Sequence, residues 1–222
     1  MATDLNIDTL LALAGYAVAS TWTPGPNNMM LASSGATFGW RATQPHAMGV
    51  AVGFPLMFFL VALGLGQVFE AAPMFRLALG WLGCGVMLWL AWRIATAAPP
   101  AAPDVSNNVG AATAGTRDAG GSGHRPLTFA GAAAFQWVNP KAWVMSIGVS
   151  AAFVSGRDPI GEAALGTLVF LGSGLTSAQA WALLGAGAGR LLGRGSRLRV
   201  FNVAMGLMLG VSALWLVVEP VG

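Results

Sequence analysis

The chain has 222 residues, of which 55% are hydrophobic and only 9% are charged. An ordinary globular domain carries about 25% charged residues, so we expect one compact membrane domain (1–222) in a lipid bilayer, not a soluble protein. The single cysteine, Cys84, excludes an intrachain disulfide and a cysteine-based metal cluster. The basic residues fall at the ends of apolar segments, which indicates membrane topology and not a nucleic-acid partner.

Six apolar stretches are each long enough to cross about 30 Å of hydrocarbon, which takes about 20 helical residues. They cover approximately 9–34, 47–66, 75–92, 129–154, 163–185 and 200–218. The sequence therefore predicts an all-α membrane protein with six transmembrane helices.

The first span is interrupted near its middle by two prolines, in the run Trp22-Thr23-Pro24-Gly25-Pro26-Asn27-Asn28. Proline inside a helix removes a hydrogen bond and clashes with the preceding turn, which costs roughly 3 kcal/mol or more. In lipid the freed carbonyl groups need protein or an aqueous cavity to receive them. We therefore predict that the first helix is broken and that the break borders a cavity.

Residues 96–126 separate the third span from the fourth. They contain Pro99, Pro100, Pro103 and the run Gly120-Gly121-Ser122-Gly123, and they offer no apolar face to bury. This composition predicts a flexible linker. It divides the chain into a first three-helix half (1–95) and a second three-helix half (127–222).

The fourth span is also broken by a proline beside an asparagine, in the run Gln136-Trp137-Val138-Asn139-Pro140-Lys141. Two breaks at corresponding places in two halves are typical of transporters built from repeats, with the substrate site between them. Polar residues recur at helical spacing through both breaks, so two polar stripes are expected to face each other across a hydrated cavity. The stripes are Ser20, Thr23, Asn27 and Ser34 in the first span, and Gln136, Asn139, Ser146 and Ser150 in the fourth. The alternative is that they only join helices.

Lys141 is the one lysine of the chain and lies deep in the fourth span. A lysine at the centre of a span costs about 2.5–3.5 kcal/mol on insertion scales, and such residues mark functional sites. The alternative, a side chain that extends to the membrane surface, requires a long reach. In an uninterrupted helix Lys141 lies about 200° from Asn139. Either Pro140 brings both residues to one cavity, or they face different cavities.

The distribution of arginine predicts the orientation of the spans. The loops after the first, third and fifth spans hold eight arginines (Arg41, Arg93, Arg117, Arg125, Arg190, Arg194, Arg197 and Arg199), and the opposite side holds two (Arg76 and Arg157). The positive-inside rule places the linker in the cytoplasm and both termini outside. Because each half has three spans, the halves are oppositely oriented, as in an inverted repeat.

Glycine pairs four residues apart occur at Gly49 and Gly53, at Gly185 and Gly189, and at Gly206 and Gly210. This spacing lets helix backbones approach closely. We expect close helix packing at these three places.

Three motifs have a more specific pattern: Thr23-Pro24-Gly25-Pro26-Asn27-Asn28, Trp89-Leu90-Ala91-Trp92-Arg93, and Phe135-Gln136-Trp137-Val138-Asn139-Pro140-Lys141. Together they resemble the LysE/RhtB family of bacterial amino-acid exporters over most of the chain apart from the linker. The two asparagines after Pro26 most resemble the cysteine and O-acetylserine exporter branch of that family.

The resemblance implies secondary active export of small amino acids or their derivatives from the cytoplasm by alternating access, without enzymatic activity. The substrates would be cysteine, O-acetylserine or other neutral amino acids, and the location would be the bacterial cytoplasmic (inner) membrane. Protons are the expected coupling ion, and no cofactor or metal is implied. A homo-oligomer is left open.

The predicted substrate-binding residues follow from these motifs and the polar stripes. They are Thr23, Pro24, Gly25, Pro26, Asn27, Asn28, Gln136, Asn139, Pro140 and Lys141. Many members of the family carry aspartate at the position of Asn27, and every acidic residue of this chain lies in a loop or at a span end. Lys141 is therefore the candidate for proton exchange.

Two other functions are weighed against export of amino acids. A metal-cation exporter of the same superfamily needs clustered carboxylate, histidine or thiolate ligands, and no span contains such a cluster. An intramembrane enzyme would need a nucleophile such as a serine activated by Lys141. Both are less well supported than export.

Overall fold

The structure is a computed structural model that describes residues 7–97, 125–193 and 195–218. These residues form helices and connecting loops, with no strand among them. The predicted all-helical class is confirmed for this part of the chain. Most of the predicted linker 96–126 and both termini lie outside the described residues, so their predicted flexibility and location stay predictions.

The first half begins with two helices that replace the first predicted span. Helix α1 covers Ile7–Trp22 and α2 covers Pro26–Phe38. Helix α3 covers Gln44–Leu60, and a π-helical segment, Val61–Leu65, joins it to α4, Gly66–Ala71. A kink falls at Gly64, whose φ of 125° is readily adopted only by glycine. Helix α5, Pro73–Ala95, completes this half.

The second half has the same arrangement at its start. Helix α6 covers Phe129–Phe135 and continues as a 3₁₀ turn, Gln136–Val138, before α7 begins at Pro140 and ends at Phe153. Helix α8 covers Pro159–Leu192 and α9 covers Ser196–Val218. The fifth predicted span, 163–185, is thus the middle of a longer helix of 34 residues.

Four helical stretches of the described residues are long and apolar enough to cross a membrane. They are Gln44–Val68, Pro73–Ala95, Pro159–Leu192 and Ser196–Leu214. The first and fourth predicted spans are not continuous helices, because each is divided at its proline into two shorter segments. Both predicted breaks are therefore present.

The glycine pairs lie at helix contacts, as their spacing predicts. A Cβ atom placed on Gly185 or Gly189 of α8 would lie 2.8 or 2.9 Å from the Cα of Ala32 or Ala36 in α2. A Cβ on Gly53 of α3 would lie 2.6 Å from the Cα of Ala133 in α6. Since residue numbers rise together across both contacts, α2 runs parallel to α8 and α3 runs parallel to α6.

The third glycine contact joins α5 and α9. A Cβ on Gly206 would lie 2.6 Å from the carbonyl oxygen of Ala91, and Gly210 approaches Leu88. These two helices are therefore antiparallel. Together the three contacts bring the ends of α2, α5 and α8 and the starts of α3, α6 and α9 to one end of the bundle, which also holds Arg41, Arg93, Arg125, Arg190 and Arg197. We call it the arginine end.

Apolar side chains fill the bundle on both sides of the breaks. Away from the arginine end, Phe54, Phe58 and Phe170 pack together, with ring centroids 5.1 and 5.3 Å apart for the two pairs that include Phe170. Towards the arginine end, Met30, Met87 and other apolar side chains join α2, α5, α6 and α9. The breaks lie between these two clusters and form the polar part of the interior.

Candidate functional site

The first break connects α1 to α2 and leaves carbonyl groups without helical partners. The hydroxyl of Thr23 donates to the carbonyl of Ser20 at 3.0 Å. In a continuous helix residue 24 would donate to this carbonyl, but Pro24 has no N–H. The amide nitrogen of Asn28 donates to the carbonyls of Thr21 and Thr23, both at 2.8 Å. Ser177 of α8 donates to the Thr21 carbonyl at 2.8 Å. Side chains, one of them from the second half, therefore replace the missing backbone donors.

Lys141 also reaches the first break, although it belongs to α7. Its ammonium group donates to the Thr23 hydroxyl at 3.0 Å and to the Thr23 carbonyl at 3.4 Å. The lysine side chain passes over Gly25, where a Cβ atom would lie 2.9 Å from Nζ and 3.1 Å from Cδ. Glycine at this position leaves the room that the lysine occupies.

The second break, between α6 and α7, is closed by its own residues. Asn139 adopts an extended backbone and its side chain accepts a hydrogen bond from the backbone N–H of Lys141 at 3.1 Å, so it caps α7. The indole N–H of Trp143 donates to the carbonyl of Trp137 at 2.9 Å. It replaces the N–H of Lys141, which would donate to this carbonyl in a continuous helix and donates to Asn139 instead.

The two breaks are joined directly by an amide pair. Asn27 Nδ2 donates to Gln136 Oε1 at 2.9 Å, and Gln136 Nε2 donates back to Asn27 Oδ1 at 3.1 Å. Gln136 is fully buried and also donates to the carbonyl of Ala132 at 2.9 Å. This pair fixes the start of α2 against the end of α6.

The starts of α2 and α7 differ in their capping. Gly25 precedes α2 and provides no side-chain cap, and Pro26 has no N–H, so the N–H groups of Asn27 and Asn28 begin the helix without a capping side chain. At α7 the cap is Asn139. Uncapped N–H groups at a helix start attract negatively charged groups. The start of α2 therefore offers the more open position for an anion.

A partly open cavity lies between the two breaks. We call it the central cavity. It is lined by four segments: Ser20, Thr21, Gly25, Pro26, Asn27 and Asn28 from the first break; Val50, Ala51, Phe54 and Pro55 from α3; Asn139, Lys141, Ala142 and Met145 from the second break; and Gly174, Ser177 and Ala178 from α8.

The wall formed by α3 contains a backbone carbonyl that lacks its usual helical donor. Pro55 lies inside α3 and has no N–H to donate to the carbonyl of Ala51, and both residues line the central cavity. The cavity thus has cationic and N–H donors from Lys141 and the start of α2, and carbonyl acceptors from α3. A molecule with one carboxylate and one ammonium group matches this arrangement.

Comparison with known proteins gives a family for the chain. The family model described as "LysE type translocator" matches residues 18–219. The chain belongs to this family. The match begins in α1 and ends beyond α9, so it includes both breaks and the central cavity.

Individual relatives agree with the family. A "Cysteine/O-acetylserine efflux protein" of Escherichia coli (strain K12) is 29% identical over 206 residues, which are 90% of this chain and 93% of that protein. A protein of the same name from Klebsiella pneumoniae subsp. pneumoniae is 36% identical over 88 residues, which are 40% of this chain and 45% of that protein. No solved structure matches the chain.

The predicted site residues of this translocator fall into two groups in the structure. Six of them line the central cavity: Gly25, Pro26, Asn27, Asn28, Asn139 and Lys141. Thr23, Pro24, Gln136 and Pro140 do not line it. Thr23 binds the lysine, Gln136 pairs with Asn27, and Pro140 packs near Gly83 of α5. Since Asn139 and Lys141 line one cavity, the break at Pro140 brings them together.

The continuous polar stripes expected from helical spacing are not present. Ser34 pairs with Thr43 at 2.9 Å, and Ser150 donates to the carbonyl of Ser146 within α7. None of Ser34, Ser146 and Ser150 lines the central cavity. A shared helix face does not fix the depth along the helix: Ser34 lies about two turns beyond Asn27 in the same helix α2, past the level of the central cavity.

Sequence reasoning overlooked the contribution of α3 and α8 to the translocator's cavity. Ser177 and Gly174 belong to the run Gly172-Ser173-Gly174-Leu175-Thr176-Ser177, a small and polar stretch in the middle of an apolar helix. Pro55 is a proline inside an apolar span. Both were visible signals of irregular or polar interior positions.

Metal binding receives no support from side-chain clusters in the described ranges. No group of three or more histidine, cysteine, aspartate or glutamate side chains is close enough there to hold a metal ion.

Proposed function

We propose that this translocator is a secondary active exporter of small amino acids or their derivatives. The substrates would be cysteine, O-acetylserine or other neutral amino acids, carried from the cytoplasm across the bacterial inner membrane. The family match and the names of the relatives support the class of substrate. The observation that carries the proposal is the central cavity, where Lys141 and the start of α2 face a carbonyl of α3.

The carboxylate of the substrate binds between Lys141 and the start of α2. The ammonium group of Lys141 has three N–H donors. Thr23 accepts from it without using all three, so a donor remains for the carboxylate. The N–H groups of Asn27 and Asn28 provide further donors from the uncapped helix. This combination of half-helix start and lysine is the type of anion site found in transporters with broken helices.

The ammonium group of the substrate binds on the α3 side of the cavity. The carbonyls of Thr21 and Thr23 at the first break already accept from Asn28, Ser177 and Lys141. The carbonyl of Ala51 has no helical donor because of Pro55. We therefore assign the ammonium group to Ala51 in preference to the first break.

Export proceeds by alternating access between two inverted three-helix halves. Exchange of the two halves pairs α1 with α6, α3 with α8 and α5 with α9. The helix contacts support this repeat: α1 contacts α8 through the Thr21–Ser173 hydrogen bond, α6 contacts α3 through Gly49 and Gly53, and the α5–α9 contact is converted into itself. Movement of one half against the other then exposes the central cavity to each side in turn.

Protons drive the cycle through Lys141. Among the described residues that line the central cavity, Lys141 has the only ionisable side chain. A lysine can bind the substrate carboxylate as an ammonium group and release a proton when the substrate leaves. Arginine keeps its charge and cannot do this.

The test is uptake of labelled O-acetylserine and cysteine into inverted membrane vesicles with an imposed proton gradient. We expect uptake by the wild type that a protonophore abolishes. Lys141→Ala should lower uptake at least about tenfold, because a hydrogen bond to a charged group contributes about 1.5–3 kcal/mol and 1.4 kcal/mol is a factor of ten. Arg76→Gln, which removes a cation in the first turn of α5 and outside the cavity, is the control.

Lys141→Arg separates fixed charge from proton exchange. If this variant takes up substrate and remains coupled to the gradient, Lys141 is not the proton carrier. If Lys141→Ala transports normally, the central cavity is not the substrate site.

The proposed orientation can be tested separately with single cysteines in a Cys84→Ser background. We expect Ser106→Cys, in the predicted linker, to be shielded from an impermeant thiol reagent in intact cells and labelled in inverted vesicles. Labelling in intact cells would contradict the inverted arrangement.

The metal-cation exporter and the intramembrane enzyme gain no support from the site. The family model is that of a translocator, and the relatives are named as efflux proteins. No observation favours either alternative.

A further inference from the structure

A second cavity lies closer to the arginine end. It has a volume of about 450 Å3 and is formed by α2, α3, α5 and the residues just before α6. We call it the arginine-end cavity; its polar lining consists of Ser33, Ser34, His46, Arg93 and Arg125. It follows the central cavity along the same two helices, since Asn28 of α2 and Val50 of α3 line the central cavity two residues from Met30 and four residues from His46, respectively.

His46 is the unusual residue of this cavity. Its side chain is 2% exposed, and within the described ranges neither Nδ1 nor Nε2 has a hydrogen-bond partner. Buried polar groups are nearly always hydrogen-bonded, and those that are not require an explanation. The two serines of the lining cannot serve His46, because Ser33 donates to Asn202 at 3.0 Å and Ser34 pairs with Thr43 at 2.9 Å. Both nitrogens are themselves buried, so the His46 ring must turn towards the cavity before a molecule there can become its partner.

The charge of the cavity indicates what that molecule is. Arg93 and Arg125 line it, and the guanidinium of Arg93 lies 5.0 Å from the ring centroid of Trp89. No acidic residue is among its described lining residues. The acidic residues of the described ranges are at the start of α1, the end of α4 and the start of α8, far from the arginine end. Two arginines and an imidazole without an internal counter-charge match a carboxylate.

We propose that the arginine-end cavity is a second binding site, for the carboxylate of an amino acid that has not yet reached the central cavity. In this form it rests on the proposed export function. The arginines hold the carboxylate, and an N–H of His46 donates to it. The substrate then passes along α2 and α3, from the level of His46 to that of Val50 and Ala51, where Lys141 and the start of α2 take over the carboxylate.

The number of histidines makes a direct experiment feasible. The chain has two, His46 and His124, so the full-length His124→Gln variant with a histidine-free affinity tag contains only His46. Histidine labelled with 15N then reports on this ring alone by NMR, in nanodiscs of phosphatidylcholine. The probes are L-serine and O-acetyl-L-serine, with L-serinamide as a matched ligand that lacks the carboxylate.

We expect saturable changes in the His46 signals with the two amino acids and none with L-serinamide. Arg93→Gln and Arg125→Gln should each raise the half-saturating concentration by about tenfold or more. Lys141→Ala should leave the response of His46 unchanged while it removes export. The absence of a saturable change with both amino acids, or an equal change with L-serinamide, overturns the proposal.

Lipid phosphate is the other source of an anion at this end of the bundle. The titration is therefore repeated in nanodiscs that contain phosphatidylglycerol. A His46 signal that responds to this lipid and not to the amino acids also overturns the proposal.

Failure of the proposed export function can be distinguished from failure of the second site. If wild-type vesicles take up no amino acid but His46 responds to carboxylates, the second site stands without the proposed function. If uptake occurs and His46 does not respond, only the second site is wrong.

Discussion

The two proline breaks look alike in sequence and are stabilised in opposite ways. At the second break, Asn139 caps α7 and Trp143 donates to the Trp137 carbonyl, so all replacement donors come from the same segment. At the first break, Ser177 of α8 and Lys141 of α7 supply donors from the other half of the chain. The first break is therefore completed in part by other helices, whereas the two donors named at the second break come from its own segment.

This difference supports the first break as the proposed position of the substrate. A break that depends on donors from other helices changes its hydrogen bonds when those helices move. The start of α2 also lacks a side-chain cap, so its N–H groups are open to a ligand. The second break acts as a fixed platform that presents Lys141 to the first.

The largest effect on stability is expected from Asn28→Ala. It removes two hydrogen bonds, to the carbonyls of Thr21 and Thr23, which keep Ser177 and Lys141 as their other donors, and a hydrogen bond contributes about 0.5–1.5 kcal/mol. We expect a loss of about 2 kcal/mol in the free energy of unfolding. Asn139→Ala, the matched change at the second break, should cost about 1 kcal/mol, the typical value of a helix cap.

Both values can be measured from the thermal exposure of Cys84, the buried single cysteine, to a thiol-reactive dye. An Asn139→Ala variant less stable than Asn28→Ala would contradict the comparison between the breaks.

Gly25→Ala should reduce transport more than stability. The added Cβ would lie 2.9 Å from the ammonium nitrogen of Lys141, a flexible group that can move aside. We expect the displaced lysine to lower the rate of uptake about tenfold, equivalent to about 1.4 kcal/mol, while the unfolding temperature changes little. Gly80→Ala in α5, where a Cβ meets no other atom within 4 Å, is the control. Normal uptake by Gly25→Ala would show that the position of Lys141 over Gly25 is unimportant.

The smallest effects are expected from two single donors, Ser177→Ala at the first break and Trp143→Phe at the second. Each removes one hydrogen bond to a carbonyl. Hydrogen bonds between membrane helices contribute about 0.6 kcal/mol on average. Both variants should therefore be slightly destabilised. Only Ser177→Ala should raise the substrate concentration for half-maximal uptake, because Ser177 lines the central cavity and Trp143 does not. Equal effects of the two on uptake would refute the difference between the breaks.

Much of the fold could be predicted because its signals are local. The positions of Pro24, Pro26 and Pro140 fix where the helices are interrupted, since proline lacks the donor wherever it stands. The glycine pairs marked the contacts of α3, α8 and α9 because close approach of backbones requires the absence of a side chain. The motifs around both breaks were also sufficient to indicate the family that the comparisons confirm.

The amino-acid sequence by itself thus determined the helical class, the two breaks and six cavity-lining residues of the ten proposed. Only the tertiary structure decided which donors complete each break, and that Asn139 and Lys141 share one cavity. It also decided that Pro55 and Ser177 belong to that cavity, and that Ser34 and Ser146 do not. The physical reason is that the donors and the cavity walls come from helices distant in the chain, and that a shared helix face does not fix depth, since Ser34 lies about two turns beyond Asn27 in α2.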